Sequence, residues 1–530
     1  MNFRLIFRIL GIVSFFVAGA MLLALPWGHS RFGGDWSYEK PGVIGLLLSF
    51  LTASAVGAFF ADLGRNASRV LLRKEALAIV PLSWFLAIFL AALPYLFSGT
   101  FRAEGVTMSL GDAFFESASG LTTTGATVLT ELEAPELVPR TILFWRLLTH
   151  FMGGLGIMVF FVAILGYGTV GKRIMALETG GTTAAGTWLH YRQFALTLAT
   201  IYIGLIALAT VILCALGVSP YDAICHAFST LSTGGFSTFN ASVGHFAAET
   251  QLNAPLIELV IIFFMILGGT NFVLLYFLVM RKPGELFRDT EWRTYIAILA
   301  GVTLIVFTSG LIFHDFDSFG TTDTPLHSAS RVLLPWDAFR QSLFQVTSLM
   351  TTTGFVTDEF EKWNSISLLL FLVVGFIGGC IGGTAGGVKV ARIVVSSKAF
   401  RLELEKVYRP NVVRTKQIGS VALDDSVLYG IVAYLFFMIV AVVAVTFLVL
   451  VIEPPTLWTE GGEPVRLLDL FSSTLSMFNN VGPGFGVLGA RQNYACLTEI
   501  TKLIYSFAMI LGRLDLYLPI LICSPNFWRR

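Results

Sequence analysis

Charged residues divide this chain of 530 amino acids into long neutral runs, and eleven of them reach 21 residues or more. A helix rises about 1.5 Å per residue, so each such run is long enough to cross a hydrocarbon layer about 30 Å thick. Nine runs are apolar throughout: 9–30, 41–61, 76–101, 147–171, 193–221, 259–280, 294–314, 363–388 and 426–452. A tenth apolar segment, 497–523, carries Glu499, Lys502, Arg513 and Asp515. The other two long runs, 223–248 and 470–490, are rich in Ser, Thr, Asn and Gly and lack the apolar density of a span. With 55% hydrophobic and 13% charged residues, against about 25% charged in soluble domains, no large soluble domain fits. The expected fold class is an all-α polytopic membrane protein.

The net charge of +1 conceals an asymmetry between the two membrane sides. When the segments between spans are assigned alternately, one side holds 23 Lys/Arg and 10 Asp/Glu, and the other 9 and 21. Cytoplasmic segments carry the Lys/Arg excess. Ten crossings with both termini in the cytoplasm follow. Arg4 and Arg8 before the first apolar run resemble a signal peptide, but its 22 residues exceed a usual signal core, so it reads as a retained helix. Five scattered cysteines show no metal-ligand spacing and read as small apolar residues in helices.

The polar stretches between spans contain a fourfold repeat. A Ser precedes a Gly by six residues in Ser119 to Gly125, Ser229 to Gly235, Ser348 to Gly354 and Ser476 to Gly482. Seven residues before each Ser stands Asp112, Asp222, Gln341 or Asp469. Each copy lies between two apolar spans on the side assigned as external. One unit is therefore span, short amphiphilic helix, Gly-containing loop, span. Four units occupy 71–171, 172–281, 282–416 and 417–530, after two extra spans within 1–70.

Such a unit suits a cation pore. The acid is expected to cap the N-terminus of a short helix dipping into the membrane, whose C-terminal end then points its negative dipole inward. Irregular backbone at membrane depth is tolerated only where it lines a cavity or is buried in protein. Glycine admits the required dihedrals and lets backbone approach an ion. Four loops about one axis would present rings of carbonyl and hydroxyl oxygen that replace the hydration shell of a monovalent cation. The loops carry no carboxylate of the kind a divalent site wants.

In these loops the chain resembles the Trk/Ktr/HKT superfamily of potassium transporters, with its two extra N-terminal spans most like the TrkH branch. The resemblance rests on Thr-Thr-Thr-Gly125, Ser-Thr-Gly-Gly235-Phe, Thr-Thr-Thr-Gly354-Phe, Asn-Asn-Val-Gly482-Pro-Gly, Gly-Gly-Thr-Ala-Gly-Gly-Val-Lys389 and Gly-Arg513-Leu-Asp. It implies four pseudo-symmetric repeats around one pore. The implied potassium-binding filter is Thr123, Thr124, Gly125, Thr233, Gly234, Gly235, Thr352, Thr353, Gly354, Asn480, Val481 and Gly482. In HKT members Ser at the first glycine accompanies sodium transport, so Gly125 favours potassium. The fourth copy departs most from a Thr-rich filter, with Asn480 and Val481 before the glycine and Pro483 after it. The resemblance further implies a homodimer with one pore per subunit and a cytoplasmic nucleotide-binding regulatory subunit. No cofactor is implied beyond the transported ion.

The span 363–388 holds seven glycines within residues 375–387, a choice no helix favours. Pattern and resemblance together point to a broken helix whose unwound middle, Gly382, Gly383, Thr384, Ala385, Gly386 and Gly387, lies under the filter as a gate. Close packing of small residues is the alternative. Arg513, in mid-span, needs a partner at that depth. Asp515 stands two positions away and off its helix face, which leaves the carbonyls of the glycine-rich loop. Glu258, Glu499 and Lys502 read as interfacial charges, and His150 and His226 as structural. Segment 389–416, with eight Lys/Arg, fits positive-inside bias, anionic lipid or the acidic face of a partner. Ser242, outside the filter register, is expected to tolerate replacement.

These features point to potassium uptake across the cytoplasmic (inner) membrane. Channel-like and ion-coupled conduction both remain open, as does a sodium-permeable or weakly selective member of the same family. A polytopic membrane enzyme would place acids, bases or metal ligands at one depth, and the neutral loops supply none.

Overall fold

A computed structural model of the chain describes all residues but 68–72, 166–187, 250, 314, 316–334, 410–416, 419–420, 423–424, 455–466 and 529–530. The end of the run 147–171, part of the basic segment 389–416, and the terminal Arg529 and Arg530 fall outside these. Among the described residues the chain is helical apart from two small hairpins. Six helices are long and apolar enough to cross a membrane, and two bent pairs extend that number to eight. Arg140–Leu165 and the interrupted pair Ser365–Ile377 and Val390–Tyr408 fill the remaining places in the repeat pattern.

Each repeat has an outer helix, a short helix and an inner helix. The outer helices are Arg73–Phe97, Trp188–Ala215, Thr290–Ile312 and Asp425–Ile452. The short helices are Leu110–Leu121, Pro220–Leu231, Pro335–Met350 and Leu467–Asn479. The inner helices begin at Arg140, Ala254, Ser365 and Glu499. Three of the four inner helices are broken. The second bends by 108° between Gly269 and Phe272, and the fourth by 117° between Arg513 and Tyr517. The sequence showed these two as straight spans, because neither break carries a proline. At the first, Thr270 is extended and Asn271 caps the new helix through Val273 N–H.

The short helices start three residues earlier than the repeat suggested. Ser109 and Ser219 are the N-caps, each accepting from the N–H of the Asp three residues on. Asp112 returns a bond to Ser109 N–H, completing a capping box. The acid is therefore the third helical residue, placed to favour the positive end of the dipole, rather than the cap. In the third repeat the helix is one turn longer, and Asp337 takes this place while Gln341 lies in the next turn.

Inner helices pack on the short helix of the following repeat, in the order one to two, two to three, three to four and four to one. The order closes on itself, so the repeats surround one axis. Acids cap three inner helices from outside. Glu39, in the second N-terminal helix Trp36–Leu63, accepts from Arg140 and Thr141 N–H at 2.7 and 3.0 Å. Asp315 accepts from Asn364 N–H at 2.9 Å and Glu453 from Thr498 N–H at 3.0 Å. These bonds fix where each inner helix starts relative to its loop. The N-terminal pair Phe3–Leu22 and Trp36–Leu63 is held by small residues, with Gly11 against the backbone of Gly57 and Ala61.

Candidate functional site

Beyond each short helix the backbone takes one conformation four times. Thr123, Thr233 and Thr352 have φ of 54° and Asn480 has 55°. Two residues on, Gly125 and Gly235 have 85°, Gly354 76° and Gly482 102°. A β-branched residue at positive φ is strained, and strain repeated at one register in four segments marks a conformation the surroundings impose. Alternating the sign of φ lets successive carbonyls face one way, instead of alternating as in a strand. Sequence reading named these threonines among the filter residues but anticipated unusual dihedrals only at the glycines. Asn480, an asparagine at the same register, was the available signal.

The four loops meet. A Cβ on Gly125 would run into the carbonyl oxygen of Gly234, one on Gly235 into that of Thr353, one on Gly354 into that of Val481, and one on Gly482 into that of Thr124. Each glycine thus backs onto the carbonyl just before the glycine of the next loop, and the fourth returns to the first. All four glycines line one cavity of about 100 Å³. Its wall also includes Arg146 and Arg491, and among the described residues it holds no carboxylate side chain. The divergent fourth loop keeps the geometry by other means, as Asn480 Nδ2 donates to Thr124 Oγ1 at 3.0 Å and to Met509 O at 2.9 Å.

Side chains clip each loop to its own short helix. Thr127 Oγ1 and Val128 N–H donate to Glu116. Ser237 Oγ meets His226 Nε2 at 3.0 Å, and Thr238 Oγ1 donates to Asp222 at 2.7 Å. Ser348 Oγ donates to Phe355 O at 2.6 Å, and Phe485 N–H donates to Ser472 Oγ at 3.0 Å. His150 is a buried positioning group, with its Nδ1 2.7 Å from Gly120 O and its Nε2 accepting from Phe236 N–H. Ser242 has a larger part than expected. Its φ is 53°, and its Oγ accepts from Val356 N–H where the second and third loops adjoin.

The glycine-rich segment is unwound from Gly378 to Lys389 and lies directly against the inner ends of the loops. Gly386 N–H donates to Thr352 Oγ1 at 2.6 Å, and a Cβ on Gly386 would strike Asn479 O. Thr384 Oγ1 donates to Leu231 O at 2.8 Å and lies 3.4 Å from Thr233 Oγ1. Gly383 passes against the carbonyls of Gly268, Gly269 and Thr270, where the second inner helix breaks. The segment therefore touches the second, third and fourth repeats at once. Arg513 Nη1 donates to Thr384 O at 2.8 Å, the loop carbonyl that the sequence assigned to it. Asp515 pairs instead with Arg392 at 2.9 Å.

Two charges read as interfacial are buried. Lys502 Nζ lies 2.6 Å from Asp112, and Glu258 lies 2.8 Å from Arg340 Nε. Lys502 and Glu258 are each 1% exposed. Only Glu499, the third residue of that group, reaches solvent. Among the described residues, no group of three or more His, Cys, Asp or Glu is placed to hold a metal.

Fold and site together describe a polytopic membrane protein in which four helix–loop–helix repeats converge on a ring of backbone. The chain belongs to the TrkH family of cation transport proteins, whose model matches residues 71–529. It is 33% identical to the Trk system potassium uptake protein TrkH of Salmonella typhimurium (strain LT2) and 32% identical to that of Escherichia coli (strain K12), over the full length of each chain. The crystal structure of the potassium transporter TrkH from Vibrio parahaemolyticus superposes with a TM-score of 0.81 and 30% identity, covering both chains completely. These relatives are named as transporters, not enzymes.

Proposed function

We propose that this chain carries potassium inward across the cytoplasmic membrane through the four converging loops. The observation that supports it best is the closed cycle in which each loop glycine rests on the carbonyl preceding the next glycine. That cycle suits a stack of oxygens that exchanges for the hydration shell of a monovalent cation, and the absence of carboxylates from the lining suits single rather than double charge. The filter residues are Thr123 to Gly125, Thr233 to Gly235, Thr352 to Gly354 and Asn480 to Gly482. Below them, the segment 382–387 acts as a gate latched by Arg513. The names of the relatives, Trk system potassium uptake proteins, support the ion and a multi-component system. A homodimer and a cytoplasmic nucleotide-binding regulatory subunit complete the proposal.

Flux of potassium and sodium into liposomes holding the purified chain tests the reading. Potassium uptake that outruns sodium is expected; no cation flux, or equal flux of both, overturns the selective pore. Orientation is tested by single cysteines at 35, 135 and 405 in a background lacking native cysteines. Positions 35 and 135 should label from outside with an impermeant reagent, and 405 should not.

A further inference from the structure

Loop one and loop two are joined by a fully buried guanidinium–carboxylate pair, whereas the pair between loops three and four, Arg491 with Glu359, is partly exposed. Glu116, in the first short helix, is fully buried and accepts from Arg146 Nε at 2.6 Å. The same carboxylate accepts from Thr127 Oγ1 at 2.9 Å and Val128 N–H at 2.9 Å, on the outward strand of loop one. Arg146, in the first inner helix and 2% exposed, donates through Nη1 to Ser237 O at 3.0 Å, on the outward strand of loop two. Its guanidinium lies 3.4 Å above the ring of Phe236, and His150 stacks on the same ring at 4.1 Å. Both oxygens of Glu116 thus engage loop one, and Arg146 joins that carboxylate through Nε to loop two through Nη1.

The pair is peculiar to the first repeat. The positions matching Glu116, four after Asp112, Asp222, Gln341 and Asp469, hold His226, Gln345 and Ser473 in the other repeats. The other junctions use backbone bonds, the neutral Asn480 side chain on Thr124, and the partly exposed Arg491, which donates to Thr357 O. Gly244 N–H donates to Val356 O at 3.1 Å between loops two and three, and Tyr494 N–H to Thr127 O at 2.8 Å between loops four and one. Loops three and four meet through Glu361, which accepts from Ala490 N–H.

The geometry points to Glu116 and Arg146 as a selectivity-positioning pair, in which a planar guanidinium sets the spacing of the first two filter loops and its carboxylate cancels a positive charge at the outer mouth. The inference rests on the reading of these loops as the filter. A guanidinium fixes three directions at once, toward Glu116, Ser237 O and the Phe236 face, which an ammonium cannot reproduce. Arg146 also lines the cavity, so its charge is felt by an entering cation unless Glu116 offsets it.

The two halves of the pair therefore fail in different ways. Glu116→Gln keeps the shape, gives up the bonds that one carboxylate oxygen accepts, and leaves the guanidinium uncompensated. Potassium and sodium uptake into liposomes should both fall, about tenfold, through a higher half-saturating concentration. Arg146→Lys keeps the charge and loses the fork, so the potassium-to-sodium flux ratio should fall, about tenfold, while total cation flux persists. A merely structural pair would lower melting temperature and active fraction in both variants and leave ratio and half-saturation as in the unaltered protein. That outcome in folded protein overturns the proposal. Should Arg146→Lys not fold, Thr127→Val, which removes one bond to Glu116, must lower the ratio in the same sense, and an unchanged ratio overturns it equally. An unaltered protein without cation selectivity would instead overturn the filter reading itself.

Discussion

Lys502 and Asp112, 390 residues apart in the chain, form a buried ion pair at 2.6 Å that joins the last repeat to the first. At the diagonally opposite junction Glu258 and Arg340 form a second pair with the polarity reversed, the acid now on the inner helix. Lys502 and Glu258 stand at the same distance, eleven residues, before the ends of their helix segments at Arg513 and Gly269. One position of the repeat is thus used twice, with opposite charge, to close the ring.

Removing one member of such a pair weakens the hold on the other. Lys502→Met is expected to lower the melting temperature in detergent, because buried Asp112 is left with Arg102, at 3.3 Å, as its remaining cation. Asp112→Asn combined with Lys502→Met should recover more than half of that loss. Additive losses in the double variant would show that the two side chains are not coupled.

Gly235→Ala places a methyl group against Thr353 O and requires an alanine at φ 85°. Loss of potassium-over-sodium discrimination, or of transport, is expected in the liposome assay, and Gly125→Ser should act likewise at Gly234 O. Wild-type ion preference in both variants would remove the first two loops from the filter. Thr308→Val, on an exposed helix face, serves as the control.

Neutral Gln in place of Arg513 removes the guanidinium bonded to Thr384 O, and with it a positive charge beneath the loops. Basal flux should rise, and deletion of 382–386 should raise it further. If flux from folded Arg513→Gln protein matches that of the unaltered chain, the arginine only braces the fold, and the deletion alone decides whether the segment obstructs the path.

Glu361, in the turn after loop three, is pushed up to about 7 by burial, with Asp469 and Glu359 adding to the rise and the N–H groups of Ala490 and Gly486 opposing it. Lys362 and Arg491 nearby are engaged by Glu359 instead. A carboxyl raised in the fold holds its proton there at pH values where the unfolded chain has lost it. Its contribution is therefore fully present below about 4.5, is lost as pH rises from there to about 7, and stays lost above that. Glu361→Gln should raise the melting temperature at pH 8, by about 2 kcal/mol in stability terms, and change little at pH 5. An equal effect at both values would mean that the side chain does not titrate in this range.

Much of this was written locally in the chain. Neutral runs mark the spans, and the Ser-to-Gly spacing marks the loops, because each reflects a need met within about twenty residues. The αL threonines were hidden, since threonine by itself disfavours positive φ and only the assembled ring imposes it on Thr123, Thr233 and Thr352. Lys502 with Asp112, and Arg146 with Ser237, were hidden for another reason: each pair spans two repeats, and nothing in one segment names its partner in another. The breaks near Thr270 and Asp515 carry no proline at the bend itself, and each lies in a run long enough for one crossing, so length and hydropathy pass over them.

The unwound segment comes from the third repeat alone, though it meets the second, third and fourth. On the proposed reading of this segment as a gate, a fourfold passage blocked in this way has no need to dilate like an iris, with every wall retreating together. One tongue can withdraw while the threonines and glycines above it keep their places. Opening and ion discrimination are then separable properties of a single polypeptide, and variation in the tongue can retune how often the passage is clear without touching which ion it prefers.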